Sequence, residues 1–447
     1  MNKEERSYFF LLLLHAFIGV FIFVLPFMAK MYSLFIFVYG VIYIIKSKNK
    51  NNEALLLCAY VVSVEVLLRM TDGMILNEYA KYVIIIFLFL GIIYSGFSKN
   101  AFWYWLFLFL LVPSIILSTI TLNADTDIRK AIMFNVSGPF CLGISAIYCY
   151  QRKITFERLN SIITAFCLPL ISLLTYLFLY TPSVKEAVTS TQSNFETSGG
   201  FGPNQVSTIL GLGIFVFFSQ LLLNSTSKKL KMINGFFVLF FAFRGVVTFS
   251  RGGVFTSLAM IFVFLLVLYF KVNLKGKAKL NLIIVFSVLA SLGVWTYSSM
   301  QTNGLINKRY ANEDANGREK KSQLSGREDL IESELNMFFD NPILGIGVGK
   351  NKEYRLQKTG IEAASHNEIT RMLAEHGSLG LLALIILFWV PLFLYFINPQ
   401  NVLALSFFVF WGLTINHAAM RLAAPAFIYA LSLLKVYNIE KPSLHRE

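Results

Sequence analysis

Three side chains in an otherwise apolar sequence are suited to chemistry: His366, Arg251 and Arg327. A neutral imidazole can take a proton from a hydroxyl, and guanidinium groups are permanently charged planar forks that hold anionic oxygens. Ser325-Gly326-Arg327-Glu328 and Ser365-His366-Asn367-Glu368 both read S-x-x-E. This is a capping box, in which Ser accepts from a free backbone N–H and Glu reaches back to the cap. Apolar residues follow each at helical spacing: Ile331, Leu335, Phe338 and Phe339 in one, Ile369, Met372 and Leu373 in the other. Asn341-Pro342 is expected to end the first helix and Gly377 the second. The boxes place Arg327 and His366 in first turns, where unpaired N–H groups favour anions and keep an imidazole uncharged. His366 would then point with the apolar face, inward rather than to water. A capping box alone specifies a helix start and not an enzyme.

Arg251 follows Phe249-Ser250 and precedes Gly252-Gly253, which clear space around it. Arg244 lies inside an apolar run, where a guanidinium must snorkel, pair or serve a polar path. Asn341 to Lys350 carries alternating glycines but no P-loop Lys-Ser/Thr, so a tight connecting loop is expected rather than a nucleotide site. Glu65 and Arg69 are spaced as an internal ion pair. His15, His417 and Arg421 read as packing or rim residues. Cys58, Cys141, Cys149 and Cys167 have no CxxC spacing, so neither a disulfide framework nor a metal site is indicated. Asp125-Thr126-Asp127 has the D-x-D spacing by itself, but no such site stands out in the long polar segment.

These residues must be positioned by membrane helices. The 447 residues are 56% hydrophobic and only 14% charged, with mean hydropathy +0.63, which excludes an ordinary soluble domain. Runs of about 20 apolar residues recur, each able to cross a ~30 Å hydrocarbon core as a helix. The predicted fold class is all-α, a polytopic membrane protein with about 12–14 spans. The runs lie near 8–28, 31–45, 54–70, 80–97, 101–120, 131–150, 160–180, 205–223, 232–249, 253–270, 280–298, 379–397, 402–419 and 423–437. The first is too long for a signal-peptide core and lacks a small-x-small cleavage site, so it is expected to remain as a helix. The net charge of +14 sits largely in short links, where it reads as topology rather than nucleic-acid binding. Lys46, Lys48, Lys50, Lys99, Arg152, Lys153, Lys228 and Lys271 fall in alternate links, which puts these links and the N-terminus inside. The division expected is 1–298 as helices with short loops, 299–378 as a large external loop, and 379–447 as C-terminal helices and tail. No inner link is long enough for a nucleotide-binding domain.

Taken in order, Phe201-Gly202-Pro203-Asn204-Gln205, Phe249-Ser250-Arg251-Gly252-Gly253, Ser325-Gly326-Arg327 and Asn341-Pro342-x-x-Gly345-x-Gly347-x-Gly349 form one series. It ends with His366-Asn367-Glu368 and Leu373-Ala374-Glu375-x-Gly377-x-x-Gly380-Leu381. This ensemble resembles the O-antigen ligase and O-antigen polymerase superfamily of bacterial membrane glycosyltransferases. The resemblance covers about Phe201 to Leu381. It implies an undecaprenyl-pyrophosphate-linked glycan donor at the periplasmic face of the inner membrane, transferred to an acceptor hydroxyl without metal, nucleotide or other cofactor. It further implies His366 as base, with Arg251 and Arg327 neutralising the leaving diphosphate. Arg244, Asn204, Glu368 and Arg371 are secondary candidates for holding substrate. The reading favoured is O-antigen ligase acting on lipid A core. The alternatives are a repeat-unit polymerase and, from another class, a lipid-linked glycan transporter.

Overall fold

The computed structural model describes residues 3–320, 322, 327–360 and 363–437. Each predicted apolar run is a helix. In chain order these are α1 (Lys3–Val24), α2 (Met28–Ser47), α3 (Glu53–Met70), α4 (Tyr79–Ser95), α5 (Phe102–Thr121), α6 (Ile128–Cys149) and α7 (Phe156–Tyr180). After the short α8 (Val184–Ala187) come α9 (Pro203–Leu223), α10 (Lys228–Val247), α11 (Arg251–Lys271) and α12 (Leu274–Gln301). Three polar-segment helices follow, α13 (Leu305–Tyr310), α14 (Glu328–Asp340) and α15 (Asn351–Thr359), and then α16 (Glu368–Ile397), α17 (Ala404–Thr414) and α18 (Ala424–Leu431). Strands Lys153–Thr155 and Lys435–Tyr437 pair in parallel. The chain is an all-α, multi-pass membrane protein.

Ten of the described helices are long and apolar enough to cross a membrane, against the 12–14 spans expected. α3 carries Glu53, Glu65 and Arg69, and α4 is one turn shorter than most. The larger departure is at the C-terminus. The run 402–419 yields an 11-residue α17, about 16 Å long, and 423–437 an eight-residue α18. Neither spans alone. The non-helical residues 415–423 between them are mostly buried in protein, which is where irregular backbone is tolerated at membrane depth.

α9 is the most enclosed span and packs against α7, α10 and α11. Its contact with α11 is backbone to backbone: a Cβ on Gly253 would lie 1.9 Å from the Ser207 carbonyl oxygen. α12, by contrast, buries little and exposes Phe286 and Leu289 on an apolar face suited to lipid.

α16 is broken at Gly377 (φ 59°, ψ −137°), separating a short polar helix, residues 368–376, from the spanning part. The break locks onto the glycine loop. Ser378 N–H donates to the Pro342 carbonyl at 2.7 Å, and Ile346 and Gly347 donate to the Ala374 and Glu375 carbonyls. A Cβ on Gly377 would meet the Ile343 carbonyl oxygen at 2.6 Å. Gly377→Ala should therefore cost about 1–3 kcal/mol, read as a lower unfolding temperature in detergent. Gly293→Ala, inside α12 with open space around it, should leave that temperature unchanged or slightly raised.

Candidate functional site

The α10–α11 turn presents Arg251. Phe249 there holds a left-handed backbone (φ 58°), costly for a bulky residue, with its ring fully buried against the α12–α13 region. Its carbonyl accepts from Arg309 Nε at 3.0 Å. An edge-to-face contact of Tyr310 with Trp295 (centroids 4.8 Å apart) fixes α13 and brings Arg309 to this turn. Asn204, at the start of α9, accepts from Ser250 Oγ at 2.8 Å, so it holds the residue before Arg251. Arg244 is 1% exposed and donates to the carbonyls of Leu177 (3.2 Å) and Thr197 (2.9 Å). It neither snorkels nor ion-pairs among the described residues. It ties the 181–202 link to α10.

The helix starts differ from the capping-box expectation. Ser325 and Gly326 lie outside the described residues; Arg327 sits at the cap position of α14 with no side-chain cap bond. In the second box Asn367 is the cap, accepting from Ile369 and Thr370 N–H, while Ser365 Oγ donates to the Asn367 carbonyl. Asn367 has a one-atom-longer side chain that spans the two free N–H groups, and Glu368 is drawn elsewhere. His366 thus precedes the helix rather than lying in its first turn, and it is half-buried on an extended strand of chain.

Glu368 forms a buried cluster with Arg371, which also pairs with Glu375. The spare carboxylate oxygens hold loops: Glu368 Oε2 accepts from Met420 N–H at 3.3 Å, and Glu375 Oε1 from Gly349 N–H at 2.9 Å. Glu368 N–H donates to the Ile415 carbonyl at 2.8 Å. The expected Glu65–Arg69 pair is present at 2.9 Å and reaches the same 415–423 loop: Glu65 accepts from Ala423 N–H and Arg69 donates to the Arg421 carbonyl. Arg355, 1% exposed, pairs with Glu334 at 2.8 Å and donates to the Ala363 carbonyl just before His366.

The loop so held brings in two residues that were read as packing. Arg421 donates to the Ser365 carbonyl at 2.8 Å. His417 rests its ring against Gly252, where a Cβ would lie 2.5 Å from the ring, and its own carbonyl accepts from Arg327 at 3.2 Å. The space cleared by Gly252-Gly253 is therefore filled by His417 and by the α9 backbone. The polar interruption Asn416-His417…Arg421 between two apolar runs was the available signal.

The result is a cationic centre. His366 is pushed down to about 4 by burial and by the guanidinium groups of Arg421, Arg327 and Arg355. Arg327 and Arg309 are lowered by burial and by Arg251, and Arg421 by burial and by Arg327. Among the described residues, Arg309, Arg327 and Arg421 form no ion pair with a carboxylate. Mutual repulsion of partly buried cations would be relieved by a bound anion. Of the predicted residues, Arg327 acts electrostatically on His366 and is itself acted on by Arg251; Arg244 and Asn204 brace the Arg251 turn, and Glu368 and Arg371 line an adjoining cavity of about 590 Å³ while paired. Among the described residues no group of three or more His, Cys, Asp and Glu could hold a metal ion. Asp127 of the D-x-D triplet caps α6, and Thr126 bonds Glu353.

A multi-pass membrane protein with guanidinium groups around an uncharged imidazole is equipped to handle a large phosphorylated or otherwise anionic substrate. Residues 236–385 match the family model described as O-antigen ligase, which supports the O-antigen ligase and polymerase superfamily. The match indicates membrane glycosyl transfer of ligase or polymerase type; it includes Arg244, Arg251, Arg327, His366, Glu368 and Arg371 and stops short of His417 and Arg421. No curated protein and no solved structure matches significantly.

The guanidinium field has a measurable consequence. Diethyl pyrocarbonate modifies only neutral imidazole, so labelling of His366, followed by peptide mass spectrometry, should be half-maximal near pH 4. Arg421→Gln should move that midpoint up toward the ordinary ~6.5. A midpoint already near 6.5 in the unaltered protein would contradict the arrangement.

Proposed function

We propose that the protein transfers a glycan from undecaprenyl pyrophosphate to an acceptor hydroxyl at the periplasmic face of the bacterial inner membrane. The observation that carries this reading is the guanidinium field around a neutral His366: Arg421, Arg327 and Arg355 act on the ring, and Arg251 acts in turn on Arg327 and Arg309. Sidedness is supported by the fold: Lys228 begins α10 and Lys271 ends α11, both at the end opposite the Arg251 turn, as the positive-inside rule requires. The segment between α12 and α16 is then the external catalytic loop.

In the proposed step the diphosphate binds the guanidinium groups. The acceptor oxygen attacks the anomeric carbon from the face opposite the leaving group. Its proton passes to His366, and the electron pair of the breaking C–O bond leaves with the diphosphate. One displacement inverts the anomeric centre. The arginines carry the charge-neutralising role, which would make the reaction metal-independent. A bound diphosphate also offsets the field that lowers His366, so the ring becomes a better base only when donor is present.

The favoured acceptor class is that of a ligase, in line with the matched model's description. His366→Ala should lower transfer from lipid-linked donor by about 10²- to 10⁴-fold, and Arg327→Ala by about 10²-fold or more, with the protein still inserted. Turnover near the unaltered rate in His366→Ala would remove the base. In a deletion strain, unattached long chains would mark a ligase and single-repeat lipopolysaccharide a polymerase. Purified protein that forms no glycosidic bond from donor and acceptor would indicate a transporter.

A further inference from the structure

The 415–423 loop has no helix or strand of its own, so its backbone N–H and C=O groups must find partners elsewhere. Its first residues close turns onto α17, as where Ala418 N–H donates to the Thr414 carbonyl at 3.0 Å. Its second half is held from outside. Met420 N–H donates to Glu368, the Arg421 carbonyl accepts from Arg69 at 3.3 Å, and Ala423 N–H donates to Glu65 Oε2 at 2.8 Å. Three backbone groups within four residues are gripped by charged side chains, two of them from α3. Such charge-assisted bonds are stronger than neutral ones. They hold the loop in a shape its own backbone disfavours, since Ala419 sits at φ 49°.

The grip from α3 is itself braced. Arg69 reaches Glu65 (2.9 Å) and Glu78 (3.6 Å), Glu78 pairs with Lys81 at 2.7 Å, and Lys81 donates to Ser137 Oγ at 3.1 Å. This chain of charges ties α3 to the start of α4 and to α6, and it ends on the backbone around Leu422. A buried ion pair adds little net stability over well-packed apolar residues. Here the remaining hydrogen-bonding groups of the pair are directed at one loop, a task that apolar residues have no means to perform. Between the grips stands Arg421, whose guanidinium donates to the Ser365 carbonyl at 2.8 Å and acts on His366. Both α3 and this loop lie outside the matched residues 236–385.

We propose that Glu65 and Arg69 are positioning residues for Arg421: with Glu368 they fix the backbone before and after it, so that its guanidinium reaches the Ser365–His366 segment. The N-terminal half of the bundle then takes part in the cationic centre rather than merely enclosing it. This role rests on the transfer reading only for what that centre does, not for how it is assembled.

The test reads the loops by hydrogen exchange and His366 by diethyl pyrocarbonate labelling, both on the full chain in nanodiscs. Removing one partner would strand a buried charge, so the pair is replaced together, Glu65→Leu with Arg69→Leu, which leaves Glu78 paired with Lys81. Amides of residues 420–423 and 363–367 should then exchange about 10-fold faster, while the glycine loop, held by Glu375, keeps its rate. With Arg421 released, the His366 ring faces Arg327 and Arg355, and its labelling midpoint should rise from about 4 toward the ordinary ~6.5. Adding Arg421→Gln should raise it no further than Arg421→Gln does alone. Arg69→Lys keeps the charge but loses the fork that serves Glu65 and the Arg421 carbonyl at once. It should shift the midpoint in the same direction, and it decides the matter if the paired variant does not insert. A midpoint that stays near 4 in these variants, a shift that adds to that of Arg421→Gln, or faster exchange spread over the glycine loop as well would each overturn the positioning role. None of these measurements needs turnover, so a protein unable to form a glycosidic bond would lose the transfer reading and keep this one.

Discussion

The buried Glu368–Arg371–Glu375 cluster is the interaction on which the site depends. Three ionised groups withdrawn from water cost several kcal/mol each, and their attraction compensates only when the remaining lone pairs are also satisfied. Here those lone pairs accept from Met420 and Gly349, one on each side of the short polar helix. The charge cluster thus fastens the 415–423 loop and the glycine loop to the same short helix. Replacing it with apolar residues could preserve packing, but it would release both loops.

The same logic explains why the centre is cationic. Glu65 and Glu334 are likewise occupied, with Arg69 and the Ala423 N–H, and with Arg355 and Thr370. These acids serve the scaffold, and Arg327 is left to repel Arg309 and Arg421, with His366 beside Arg327 and Arg421. Backbone strain accompanies the arrangement: Phe249 and Ala419, each two residues before a site arginine, both have positive φ. Rigid bracing and local strain at the same end of the bundle fix these cations in place before any ligand arrives.

Much of this was legible in the sequence. Hydropathy located the helices because lipid imposes a length and a composition on them, and Gly377 acted as a stop signal as its backbone freedom allows. Glu65 and Arg69 were recognisable as a pair from their spacing. What escaped notice depended on tertiary choices. Ser365 and Asn367 can both cap a helix, and the engagement of Glu368 by Arg371 and Met420 decided for Asn367. The breaks after α17 and before α18 escape a hydropathy window, because the apolar runs on either side outweigh Asn416, His417 and Arg421. Arg309, Arg421 and His417 acquire meaning only when the chain folds them beside residues more than fifty positions away. The low basicity of His366 was anticipated, but from a helix terminus; burial and guanidinium neighbours supply it instead.

The central claim is that a lipid diphosphate occupies the space bounded by these guanidinium groups. Electron cryomicroscopy of the protein in nanodiscs with a non-transferable undecaprenyl pyrophosphate glycan tests it most directly. The account predicts diphosphate density touching Arg251, Arg327 and Arg309 or Arg421, with the anomeric carbon facing His366. Diphosphate density at the Lys46–Lys50 end, or in the cavity lined by Glu368 and Arg371, would contradict it.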